Sequence, residues 1–164
     1  NCAEATIKDF QGGNLINAIA GFILVLTVPG PKTISVDKEG KWRDFLYNIP
    51  ILWVLGYTIW NFTFVAGSYP HMYRMHIPIL LAALIPVYFD NKLWNQARGF
   101  TLGGHFLFQT LLDTPKGVGF FKDIGMAETF PKEIYIYFAI VSLSICSLHF
   151  FFFLKGIIFK NTKP

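Results

Sequence analysis

Charge is what this chain has least of. Only 15% of its 164 residues are Asp, Glu, Lys or Arg, whereas a soluble domain carries about a quarter. With 53% hydrophobic residues, that shortage argues against a disordered or freely soluble chain and for one that meets lipid. Cysteine is nearly absent. Cys2 stands near the start and Cys146 inside the last apolar segment, which argues against a disulfide framework or a cysteine metal site. Also missing are a glycine-rich phosphate loop ending in Lys-Ser or Lys-Thr, a Gly-x-Ser-x-Gly elbow, a His-Glu-x-x-His pair and a CxxC pair. No familiar enzyme chemistry is encoded and no cofactor is expected. The chain begins at Asn1 with no charged leader before its first apolar segment, so we expect the C-terminal part of a longer protein.

What is present is apolar length. The expectation is an all-α, polytopic transmembrane bundle in one domain, with about five spans near 10–28, 45–66, 74–89, 97–112 and 133–154. Eighteen phenylalanines suit lipid contact and interhelical packing. The first span ends at Val28-Pro29-Gly30-Pro31, and Gly13, Asn17 and Gly21 form a small-polar-small face within it. Asn17 reads there as an interhelical hydrogen-bonder. Residues Lys32 to Asp44 read as a polar connector with a turn at Asp37-Lys38-Glu39-Gly40. The third span is short and holds Pro78 and Pro86, so a broken or re-entrant segment is the alternative there.

The net charge of +4 is spread through connectors, not gathered on one face, so no nucleic-acid partner is expected. Nine Lys and Arg fall in the Lys32–Arg43 loop, the Lys92–Arg98 loop and the C-terminal tail, against five elsewhere. That bias places the C-terminus in the cytoplasm.

The fourth span carries the strongest polar signal. Arg98, Thr101, His105, Gln109 and Asp113 recur at helical steps of three and four, beside Gly103 and Gly104. A polar face in hydrocarbon turns toward other helices or a watery cavity. It is either packing glue or a site for a solute or proton. On the second span Trp53, Tyr57, Trp60, Asn61 and Phe64 make an aromatic face with one amide in it. That face is either core or the wall of a pocket. The last span holds Ser142, Ser144 and Ser147, able to bond to helix carbonyls, and His149 close to its end.

Gly40-Lys41-Trp42-Arg43-Asp44, Trp60-Asn61-Phe62-Thr63, Ile85-Pro86 and Gln96-Ala97-Arg98 together resemble an uncharacterised family of bacterial multi-pass membrane proteins, over about Gly21 to Asp113. The resemblance implies a bacterial inner-membrane location and a longer N-terminus, and no activity.

Three roles compete. The first is binding or translocation of a small solute or ion, with His105, Gln109 and Asn61 at its centre, Arg98 and Asp113 as flanking charges, and Trp60 and Tyr57 as wall. The second is a structural or assembly subunit docking on a membrane-protein partner or on copies of itself. The third is haem-based electron transfer using His105 with His76 or His149, whose unequal depths weigh against it.

Overall fold

Gly12 and Gly13 break the first predicted span in two. A computed structural model describes residues 2–39, 43–70, 72–112 and 130–161, with side chains except at 109, 111–112 and 159–161. Residues 113–129, with Asp113 and the Gly119-Phe120-Phe121 stretch, Gly40, Lys41 and Trp42, His71 and the Gln109 side chain lie outside that description. Within it, Cys2–Gln11 is helix α1 and Leu15–Leu26 is α2. Between them Gly13 takes φ of 80°, a left-handed conformation that favours glycine. The N–H of Asn14 reaches the Asp9 carbonyl at 2.8 Å and that of Gly13 reaches Phe10 at 3.1 Å, the paired bonds of a Schellman helix stop.

The second span also starts late. Phe45–Tyr47 (β2) pairs antiparallel with Ile34–Val36 (β1), and helix α3 runs only over Ile51–Ser68. Pro50 at the helix start explains the boundary, because proline fits a first turn and holds the preceding residue extended. The β-branched Ile34 and Val36 supply strand propensity that a reading of this segment as polar connector overlooks. Helix α4 covers Tyr73–Leu84 with Pro78 inside it, α5 covers Trp94–Leu112, and α6 covers Lys132–Asn161. The fold is thus mostly helical, with one two-stranded hairpin among the described residues.

Five spans are not supported. Among the described residues only α3 and the Lys132–Ile158 part of α6 are long and apolar enough to cross a membrane. Helices α2 and α4 have 12 residues each, against the roughly 20 a bilayer needs. Helix α5 is long enough, but its polar stripe leaves it insufficiently apolar.

The contacts divide the chain into two units, Asn1–Val28 with Pro50–Ser68 and Pro131–Pro164, and Pro29–Ile49 with Tyr69–Phe130. In the first, α2 packs on α1, α3 and α6, and α3 packs on α6. Glycines make the crossings possible: a Cβ on Gly21 would stand 2.3 Å from Thr6 Oγ1 and 2.5 Å from Trp60 Nε1, and one on Gly56 would stand 2.9 Å from Cys146 Sγ. Trp53 and Trp60, two turns apart on α3, donate their indole N–H groups to the carbonyls of Leu24 and Asn17 on α2, both at 3.1 Å. The opposite order of the partners makes α2 and α3 antiparallel.

Helix α6 is inverted relative to a soluble helix. Ala139, Ser142, Cys146 and His149 form its buried stripe, while Ile136, Tyr137, Ile140, Val141, Leu148, Phe151 and Phe152 are exposed. The hydrophobic effect in water would drive the reverse arrangement. Ser144 bonds back to the Ile140 carbonyl at 2.8 Å, as expected for a serine inside such a helix.

In the second unit the hairpin packs on α5. Gln96 joins them, donating to Asp44 Oδ1 at 2.9 Å and accepting from the Phe45 N–H. Asn91 donates to the Ile49 carbonyl at 2.8 Å. Helices α4 and α5 pack on each other.

Candidate functional site

The most constrained polar group of the first unit is one the sequence reading passed over. Asp9 lies in the last turn of α1, and its side chain is fully buried. The glycine stop turns the chain back so that the start of α2 faces it. Asn14, which precedes α2, donates from Nδ2 to Asp9 Oδ1 at 3.3 Å, and Asn17, one turn on, donates from Nδ2 to Asp9 Oδ2 at 2.7 Å. The same Asn17 Nδ2 donates to the Trp60 carbonyl of α3 at 3.3 Å. That acceptor fixes which end of the amide points inward, since an oxygen there would face two other oxygens.

The remaining walls are neutral. A Cβ on Gly67 would meet Tyr135 Cε2 at 2.7 Å and Asn14 Nδ2 at 3.1 Å, so the ring from α6 and the Asn14 amide converge over the α3 backbone. Tyr135 is near enough to Asp9 to interact with it electrostatically. Two buried polar atoms at this junction have no hydrogen-bond partner among the described residues: Asn17 Oδ1 and Tyr135 Oη.

Burial raises the Asp9 carboxyl from an ordinary 3.8 to about 6, against the bonds from Asn17 and Asn14, which favour its ionised form. Among the described residues no cationic side chain contributes to holding it ionised. Its position near the C-terminal end of α1 adds repulsion from that helix's dipole. Asp9 is therefore a carboxyl whose charge changes near neutral pH, held by amides where four helices meet.

The predicted site residues divide between the two units. Trp60, Tyr57 and Asn61 lie on α3 in the first. Trp53 and Tyr57 stack with centroids 5.4 Å apart, and Trp60 and Phe64 at 6.1 Å. Trp60 is buried and serves the Asp9 junction through its backbone carbonyl and its indole, while Tyr57 and Asn61 are half-buried. Arg98 and His105 lie on α5 in the second unit. Arg98 is buried, His105 half-buried, and both act electrostatically on His76 of α4, which makes a cluster of three basic side chains. Among the described residues no atom lies within 4 Å of where a Cβ on Gly103 or Gly104 would stand. No group of three or more His, Cys, Asp or Glu side chains able to hold a metal ion occurs among the described residues.

Asp9 had one sequence signal available. Asp9-x-x-Gly-Gly-Asn-x-x-Asn is a helix end, a glycine stop and two amides at N-terminal positions of the next helix, a spacing that folds the amides back onto the acid. Reading a single span from Phe10 conceals it.

A family described as one of unknown function (DUF5692) matches residues 5–164, and the chain belongs to it. The match takes in α6 as well as the stretch that carried the sequence resemblance. No curated protein and no solved structure matches the chain.

Proposed function

We propose that this member of the DUF5692 family is an integral membrane protein that binds or translocates a small solute or ion through a polar interhelical site, and that Asp9 is the titrating centre of that site. The observation carrying the proposal is the full burial of the Asp9 carboxyl between two amide donors, with no cationic side chain among the described residues holding it ionised. A buried acid of this kind is costly to keep charged, and in membrane proteins such groups mark ion and proton paths. Helices α3 and α6 provide the crossing segments, and the outward Ile, Val, Leu and Phe side chains of α6 suit lipid contact. The broken α1–α2 pair brings irregular backbone to the acid, as at the discontinuous helices of ion-coupled transporters.

The test is ion flux. The full chain, reconstituted into liposomes under an imposed pH gradient, is expected to dissipate the gradient faster than protein-free vesicles, and Asp9→Asn is expected to abolish the difference while keeping helical content. Equal rates with and without protein would refute the reading.

A second reading is a structural or assembly subunit. Phe100, Phe106, Leu107 and Phe108 are exposed on α5, a helix not apolar enough to count as a span. Burying them against a partner protein or a second copy would cover that surface. Recovery of the chain only as part of a larger assembly, with no ion flux, would favour this reading.

A further inference from the structure

Resting on the membrane reading above but not on Asp9, we infer that His76, Arg98 and His105 form the headgroup site of an anionic phospholipid, which lays its acyl chains along the exposed apolar surface of α4 and α5. All three side chains belong to the second unit. Arg98 and His105 stand seven residues apart, two turns along one face of α5, and α4, which packs on α5, contributes His76. Arg98 and His105 both act electrostatically on His76, and Arg98 acts on His105, so the three share one neighbourhood. Neither helix carries an Asp or Glu. Basic groups gathered around a buried guanidinium disfavour one another's charge, and an anion placed among them relieves that repulsion.

Charge and shape narrow the class. Burial, with the Arg98 charge beside it, lowers His76 to about 4 and lowers His105 below its ordinary 6.5, so at neutral pH each imidazole is an uncharged group with one N–H to donate. Arg98 then supplies one fixed positive charge and a planar fork of donors, which suits the two free oxygens and single negative charge of a phosphodiester. The surroundings suit the rest of the lipid. Ile77 and Leu81 follow His76 on α4, Phe106 and Phe108 follow His105 on α5, and all four are exposed. Acyl chains cover such a surface, whereas a free phosphate ion leaves it bare. Basic pockets between helices are where acidic headgroups bind.

The experiment uses the full chain in neutral-detergent micelles, with phosphatidylglycerol, phosphatidylcholine and inorganic phosphate as the probes. Phosphatidylglycerol is expected to raise the unfolding midpoint saturably, by about 3 to 6 °C at a tenfold excess over its dissociation constant. Phosphatidylcholine, whose ammonium the cluster repels, and inorganic phosphate should each leave it in place. Arg98→Gln, checked for unchanged helical content, should weaken phosphatidylglycerol binding roughly tenfold or more, and Lys132→Gln, the same charge change in the first unit, should not. The unmodified protein supplies an independent readout. Native mass spectrometry from micelles holding equal amounts of the two lipids should show phosphatidylglycerol retained in preference.

Equal midpoints and equal retention for the two lipids would overturn the inference and leave the exposed α5 face to the partner-protein reading. A shift with inorganic phosphate as large as that with phosphatidylglycerol would also overturn it, making the cluster a site for a soluble anion. So would a folded Arg98→Gln that binds the lipid as tightly as the unaltered chain. The flux assay keeps the two readings apart. Flux that depends on Asp9 with no lipid preference removes the lipid site alone, and lipid preference with no flux removes the ion path alone.

Discussion

Asn17 and Trp60 exchange hydrogen bonds: the indole Nε1 of Trp60 donates to the Asn17 carbonyl at 3.1 Å, and Asn17 Nδ2 donates to the Trp60 carbonyl at 3.3 Å. Two side chains thus cap each other's backbone across the antiparallel α2–α3 crossing. The same Asn17 amide is the shorter of the two bonds to Asp9. The helix crossing and the candidate site therefore share one residue, and a change in the charge of Asp9 is felt where α2 and α3 are joined.

That coupling makes stability depend on pH in a fixed direction. The folded Asp9 carboxyl holds its proton up to about pH 6, against 3.8 for the ordinary group. The associated stability is full below pH 3.8, declines as pH rises, and is lost once pH passes 6. The total loss is roughly 3 kcal/mol. Unfolding midpoints measured from pH 3.5 to 7.5 in choline buffers should fall with pH, and Asp9→Asn should flatten the curve. A wild-type curve as flat as that of the variant would show that Asp9 keeps an ordinary pKa.

Gly21 is where the crossing has least room. An added Cβ would press within 2.3 Å of Thr6 Oγ1 and 2.5 Å of Trp60 Nε1. Gly21→Ala should cost about 1–3 kcal/mol, the range for overpacking a filled core. Trp60→Phe should cost about 1 kcal/mol through its lost indole bond. Because part of the clash is with the indole, the rest being with Thr6, the double variant should be less destabilised than the sum of the single variants. Additive denaturation midpoints would place the Gly21 clash elsewhere.

Gly13 tests the helix stop by a different physical route. Its φ is 80° and no atom of the described residues lies within 4 Å of an added Cβ, so replacement meets no clash there and the backbone is what resists. Gly13→Ala should cost about 1–2 kcal/mol, and Gly13→Asn less, since asparagine adopts this conformation more readily. Equal costs for the two would indicate that the positive φ is not what the position requires.

The helices with strong apolar patterns were legible in the sequence, and so was the close packing around Asn17 and Gly21. What was not legible came from two local effects. A glycine pair can sit inside a continuous apolar helix or end one, and hydropathy averages over the Gly12-Gly13 stop and hides Asp9 behind Phe10. The β1–β2 pairing of Ile34–Val36 with Phe45–Tyr47 depends on contacts nine to thirteen residues apart, outside the reach of a periodicity window. Of the polar stripe read on this segment, Arg98 lies buried and His105 half-buried on α5, while Asp113 and the Gln109 side chain lie outside the described residues. Its chemistry depends on what α4 brings to it, which spacing along α5 cannot reveal.

The two cysteines offer a probe of the α3–α6 crossing. Cys146 is fully buried and its Sγ stands 2.9 Å from where a Gly56 Cβ would be, whereas Cys2 is half-buried. In the folded protein a maleimide should label Cys2 and leave Cys146 unmodified until denaturant is added. Gly56→Ala should force the thiol aside, lowering the unfolding midpoint and admitting the reagent to Cys146 in the folded state. Cys146→Ala removes the sulfur and should restore most of the midpoint lost in Gly56→Ala, because the two side chains then share the space that one glycine and one thiol occupied. Rapid labelling of Cys146 in the unaltered protein would mean that α3 and α6 are not packed at this crossing, and the buried stripe of Ala139, Ser142, Cys146 and His149 would need reassigning with it.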